Sequence, residues 1–144
     1  MSEIPIRFLE RVLVSDPEAN VSRARFHTSD GQIVRFEELQ AGDAYYVPCE
    51  GQCHLWDNCG GLHLYVVLPK DSDGDQHHWC VDGRCSNCTL KEDRVHRCWV
   101  RHGDPAAPGS LHVDKAGVTC QAGAGSILVG GWHGFLHRGR LVKC

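Results

Sequence analysis

No apolar run in this 144-residue sequence is long enough to span a bilayer, a task that takes about 20 consecutive apolar residues in a helix. The opening stretch, MSEIPIRFLERVLVSD, lacks the basic start, apolar segment and small-residue cleavage site of a secretory signal. These absences predict a protein made and kept in a cytoplasm, without a membrane partner. An excess of one charge is missing as well. Fifteen Lys and Arg face 18 Asp and Glu for a formal charge of -3, which argues against a generic polyanion binder. Internal repeats and low-complexity tracts are absent, so solenoid and disordered classes drop out. Sixteen glycines, concentrated in the second half, break any long helical pattern.

What remains is ordinary globular composition, 42% hydrophobic and 23% charged. A chain this long folds most simply as one domain, residues 1–144, burying roughly 70% of its surface without cross-links. Strand signals dominate. IRFLERVLV suits a strand or a short helix, and its β-branched residues and Pro5 favour the strand. SRARFHTSDGQIVRFEEL reads as a hairpin, with Ala24, Phe26, Ile33 and Phe36 around Ser29-Asp30-Gly31. AYYVP and LHLYVVLP are apolar runs of strand length, each closed by a proline that cannot donate to a ladder. HHWCVDG, HRCWVRHG, SLHVDK and SILVGG follow, and WHGFLHRGRLVKC reads as a final hairpin turning at Arg138-Gly139. About nine short strands predict an all-β sandwich or distorted barrel. Residues 1–48 supply N-terminal strands and a hairpin, 49–98 a cysteine- and histidine-rich loop region, and 99–144 glycine-rich C-terminal strands. The basic run after His137, with Arg138, Arg140 and Lys143, reads as a solvated strand edge.

Cysteine is abundant. Seven of the nine cysteines and five of the ten histidines lie between residues 49 and 98. In a reducing compartment clustered thiols point to metal rather than disulfides, and an odd number cannot pair completely within one chain. Zinc accepts both thiolate and imidazole in a tetrahedron. The first candidate group is Cys49-x3-Cys53-x5-Cys59-x3-His63, with Gly60-Gly61 able to wrap backbone amides toward a thiolate. Cys49 and Cys53 compete with His133, from the far end of the chain, to complete the set around Cys59 and His63. A second group, Cys80, Cys85, Cys88 and Cys98, contains the Cys85-x2-Cys88 bite and would serve a second ion or disulfides. Its spacing also suits a redox dithiol, but the βαβ context of a thioredoxin-like site is missing. Against these readings, cysteine is often just a small buried hydrophobe, which is how Cys98, Cys120 and Cys144 read. His27, His102 and His112 read as isolated histidines, and the adjacent His77 and His78 would point to opposite faces of a strand.

The segments NCTLKEDRVHRCWVRHGDP, VDKAGVTCQAGAGSI and GWHGFLHRGRL, with Cys59-Gly60-Gly61-x-His63 before them, resemble a family of small proteins of tailed phages, prophages and some bacterial gene clusters. The family's domain has no assigned function, and some members bear an ammonia monooxygenase label. The resemblance covers residues 49–142. Its closing motif, His-x-Phe-hydrophobic-x-x-Gly-x-hydrophobic, falls on His133, Phe135, Leu136, Gly139 and Leu141. Related sequences often place a cysteine before the final histidine, where this one has Trp132. The resemblance implies a zinc-binding β-fold and a phage or prophage origin, and no reaction.

The favoured expectation is therefore a non-enzymatic protein with one structural zinc ion, acting through contacts with virion proteins, a host factor or itself. Synthesis would be cytoplasmic, with incorporation into a phage particle to follow. One alternative is a zinc hydrolase, for which Asp57, Asp82, Glu92 and Asp93 are the available bases and no HExxH pattern fixes any of them. Another is a metal-free virion protein stiffened by disulfides. Nucleic-acid binding would use Trp56, Trp79, Trp99 and Trp132 beside Arg94, Arg97 and Arg101, but tryptophans in a β protein more often build the core. The glycines of residues 122–126, AGAGS, lack the Lys-Ser/Thr signature of a phosphate loop and read as a tight turn.

Overall fold

The computed structural model describes residues 3–18, 21–49, 53, 61–84, 88, 92–95, 98–103, 107–114 and 126–144. The fold is all-β. Its first strands are β1 (Glu3–Pro5), β2 (Arg7–Phe8), β3 (Glu10–Asp16), β4 (Val21–His27) and β5 (Ile33–Arg35). The middle of the chain forms β6 (Asp43–Pro48), β7 (Leu62–Val67), β8 (His78–Cys80) and β9 (Val100–His102). The last are β10 (His112–Asp114), β11 (Ile127–Val129), β12 (Trp132–His137) and β13 (Arg140–Lys143). Two single-turn 3-10 helices are the only helical pieces among the described residues. No barrel closes. There are three sheets: β1-β13-β12-β10-β9 with β11 also on β12, then β2-β6-β7-β8, then β3-β4-β5.

The apolar runs AYYVP and LHLYVVLP become β6 and β7, and their period-2 alternation explains why both are continuously hydrophobic. Ala44, Leu64 and Val66 face one way, into a core shared with Val113, Ile127, Trp132, Leu136 and Leu141 of the six-stranded sheet. Tyr45 and Val67 face the other way, into a second cluster with Leu9, Phe26 and Leu39. The four-stranded sheet is thus the middle layer, covered on both sides. The anticipated sandwich holds for its two larger sheets, and the third sheet adds a layer.

Thirteen strands form among the described residues where about nine were anticipated, and two of the additional ones arise because IRFLERVLV and its flanks change partners twice. Glu3–Pro5 pairs with β13, Arg7–Phe8 runs parallel to β6, and Glu10–Asp16 pairs with β4. Between them Ile6 donates to Gly139 and Leu9 to Ala44, each at 2.8 Å. One N-terminal segment therefore ties all three sheets together. At its crossing point Arg7 grips Asp43 through two bonds of 2.9 Å, and the same carboxylate accepts the Gln40 amide at 2.9 Å. The preceding Gly42 has φ of +93°, and a Cβ there would sit 2.4 Å from the Pro5 carbonyl oxygen. Only glycine permits that approach.

The second cluster's Tyr45 is buried and meets the half-buried His78 at its edge. Tyr45 Oη lies in hydrogen-bond contact with Nδ1 of His78 at 2.7 Å, and Phe36 stacks on the imidazole with ring centroids 4.4 Å apart. Burial pushes the Tyr45 hydroxyl up to about 12 and pushes His78 below its ordinary 6.5. A histidine harder to protonate when folded lets the unfolded chain take up protons first. Stability is therefore expected to fall as pH drops below 6.5. Urea denaturation across that window should show a shallower pH slope for His78→Phe than for the parent, and an unchanged slope would refute this role of His78.

Candidate metal centre

Pairing of β6 with β7 sets Val47 opposite His63 and Pro48 opposite Leu62, and the ladder continues as Cys49 donates to Gly61 at 2.8 Å. Cys49 thereby leaves β6 beside the start of β7. Cys53, four residues on, returns to the same place. Its carbonyl accepts a hydrogen bond from Arg94, which links this loop to the chain segment around residues 92–95. The two thiols and the imidazole converge: the ligand atoms of Cys49, Cys53 and His63 all lie within 4.8 Å of one another. Cys53 Sγ stands 3.7 Å from His63 Nε2. A tetrahedral zinc with Zn–S of about 2.3 Å and Zn–N of about 2.0 Å sets its ligand atoms about 3.5–3.8 Å apart. The separation fits that geometry. His63 is buried and both cysteines are half-buried, as suits a site shielded from bulk water.

Three of the four residues of the first candidate group are thus brought together, and Cys59 lies outside the described residues. His133 sits on β12 in the six-stranded sheet, exposed, with Nε2 at 2.8 Å from Ser126 Oγ. Of the second group, Cys85 lies outside the described residues. Cys88 and Cys98 are buried in the main core, Cys88 with Arg84 Nη1 at 3.7 Å from its sulfur. Cys80 pairs across the ladder with Tyr65, and burial pushes its thiol up, away from the thiolate form.

Other candidate side chains have structural places. Asp82 accepts the Leu64 amide at 2.7 Å and faces Arg101 at 3.3 Å, which occupies the one half-buried carboxylate among the described hydrolase candidates. Glu92 and Asp93 are exposed, and Asp57 lies outside the described residues. Trp79, Trp99 and Trp132 are only 8%, 8% and 4% exposed. Trp79 and Trp99 meet edge to face at 5.7 Å, so these three indoles build the core and are not stacking platforms. Trp56 and Arg97 lie outside the described residues, and so do Cys120 and most of the AGAGS turn. Among the described residues no helix is long and apolar enough to cross a membrane.

Strand register also assembles a set that sequence positions conceal. His102 pairs with His112, and His137 pairs with Arg140. The Val113–Leu136 pairing sets His112 beside His137, with ring centroids 4.8 Å apart. The three histidines stand 10 and 25 residues apart in the chain, too far for any local spacing rule to group them. Comparison with known protein families, curated proteins and solved structures found no match for this chain.

Proposed function

We propose that the chain is a non-enzymatic zinc protein in which one structural ion is held by Cys49, Cys53 and His63, with Cys59 as the fourth ligand. The observation that carries this reading is the convergence of two thiols and an imidazole within 4.8 Å. Two soft thiolates with one imidazole favour zinc over harder cations. A closed four-ligand site leaves no open position for water, and so contributes to folding rather than to hydrolysis. The engagement of Asp82 by Leu64 and Arg101 supports the same conclusion.

In this reading the protein is of phage or prophage origin, made in the host cytoplasm, and works as a virion or accessory component through protein contacts. The third sheet and the turn after it support that role, because Leu13, Val14, Ile33 and Phe36 are exposed there. Elemental analysis of protein purified without chelator is expected to find one zinc per chain. Thiol titration before and after chelation should then release Cys49, Cys53 and Cys59 together. Less than half an equivalent of zinc, with blocked thiols, would overturn the reading in favour of a disulfide-stiffened protein.

A further inference from the structure

We propose that the outer face of the six-stranded sheet, beside the β12–β13 turn, binds the phosphate group of a small phosphorylated molecule. Alternation along β12 sends Trp132, Gly134 and Leu136 inward, all buried, and leaves His133 and His137 exposed on the opposite face. Beside His137 lies an open cavity of about 600 Å³ lined by Glu3, His112, His137, Arg138, Arg140 and Val142. Two guanidinium groups and two imidazoles therefore border one space, against a single carboxylate. Glu3 Oε2 lies 3.9 Å from Arg140 Nε, with both side chains about half exposed, which offsets part of the charge of one arginine and leaves the site cationic.

The donor set selects the ligand. Guanidinium is permanently charged and presents N–H forks that match phosphate oxygens. Imidazole adds donors and gains charge near neutrality, in the same range where a phosphate monoester acquires its second negative charge. A metal cation would meet repulsion from both arginines, so the paired histidines do not read as a second metal site.

Backbone geometry points the same way. Arg138 has φ of +49° and is the one non-glycine residue with positive φ among the described residues, followed by Gly139 at +76°. A two-residue hairpin turn with both central φ values positive favours Asn or Gly at the first position. Hairpin stability therefore does not account for an arginine there, whereas a residue held in a sparsely populated conformation at a site of function does. The basic run at the chain's end, which reads in sequence as a solvated edge, is in this view the rim of a pocket.

Inorganic phosphate and glycerol phosphate, titrated at constant ionic strength against chloride, test the assignment through the histidine ring signals in NMR spectra. Saturable shifts are expected at His112 and His137, and glycerol phosphate should bind at least as well as inorganic phosphate. Arg138→Gly and Arg140→Gln should each weaken binding about tenfold or more, while Glu3→Gln tightens it. The melting temperature of Arg138→Gly should equal or exceed that of the parent, which separates lost binding from lost folding. Shifts no larger than those with chloride, or shifts unaltered in the arginine variants, would overturn the proposal. So would binding of single-stranded DNA with both small phosphates inert.

Discussion

If the proposed zinc is bound, stripping it with a chelator is expected to lower the melting temperature by roughly 10–15 °C. About 4 kcal/mol lost, at about 3 °C per kcal/mol for a domain of this size, produces that shift. Two variants isolate the cause. Cys53→Ser and His63→Ala should both melt near the chelated parent and should no longer respond to chelator, because a ligand that binds only the folded state stabilises only where it can bind. If His63 were not a ligand, its removal would cost about 2 kcal/mol as a simple core truncation and would leave the parent's response to chelator, whatever its size, unchanged. That second pattern would defeat the zinc assignment. His133→Ala, by contrast, should leave zinc content at the parent level, since His133 is exposed and engaged with Ser126 on another sheet.

Arg7→Ala should destabilise the protein by about 3–4 kcal/mol, because it strands a buried carboxylate. Asp43 is only 3% exposed, and its two bonds from Arg7 are joined by only one from the Gln40 amide. Asp43→Ala should cost less, about 2–3 kcal/mol, because the guanidinium left behind is half exposed and can reach water. The double variant should cost clearly less than the sum of the singles, the signature of a direct pair. Urea denaturation measures all three. Single variants within 0.5 kcal/mol of the parent, on the scale of ordinary surface substitutions, would show that the N-terminal segment is not anchored at this point. The position matters because the same segment pairs with all three sheets, so loosening it should reach the main core as well as the third layer.

Much of the fold was legible before any coordinates. Continuous apolar runs bounded by proline became β6 and β7, and the Arg138-Gly139 turn closes the last hairpin in register, with His137 opposite Arg140. The division of the N-terminal run into three strands was not legible. Its pattern is uniform, and only the identity of the neighbouring strand changes along it. At the candidate metal centre, residue types and short spacings pointed to Cys49, Cys53 and His63. Choosing among Cys49, Cys53 and His133 as partners required knowing which chain ends meet.

The phosphate-site residues show the same limit from the other side. His112 looks isolated, His137 stands far along the chain, and Arg138 and Arg140 look like an edge. Antiparallel register makes them one row, because pairing residue 113 with 136 is a property of the sheet and of no local segment. Local sequence therefore determined the all-β class, the turns, the apolar middle strands and the ligand types of the candidate metal loop. Each of these depends on alternation or on backbone chemistry within a few residues. Tertiary structure alone decided the three-sheet layering, the Arg7–Asp43 clasp, the convergence of two thiols on His63 and the cationic row on the outer face, since each depends on which distant strands become neighbours.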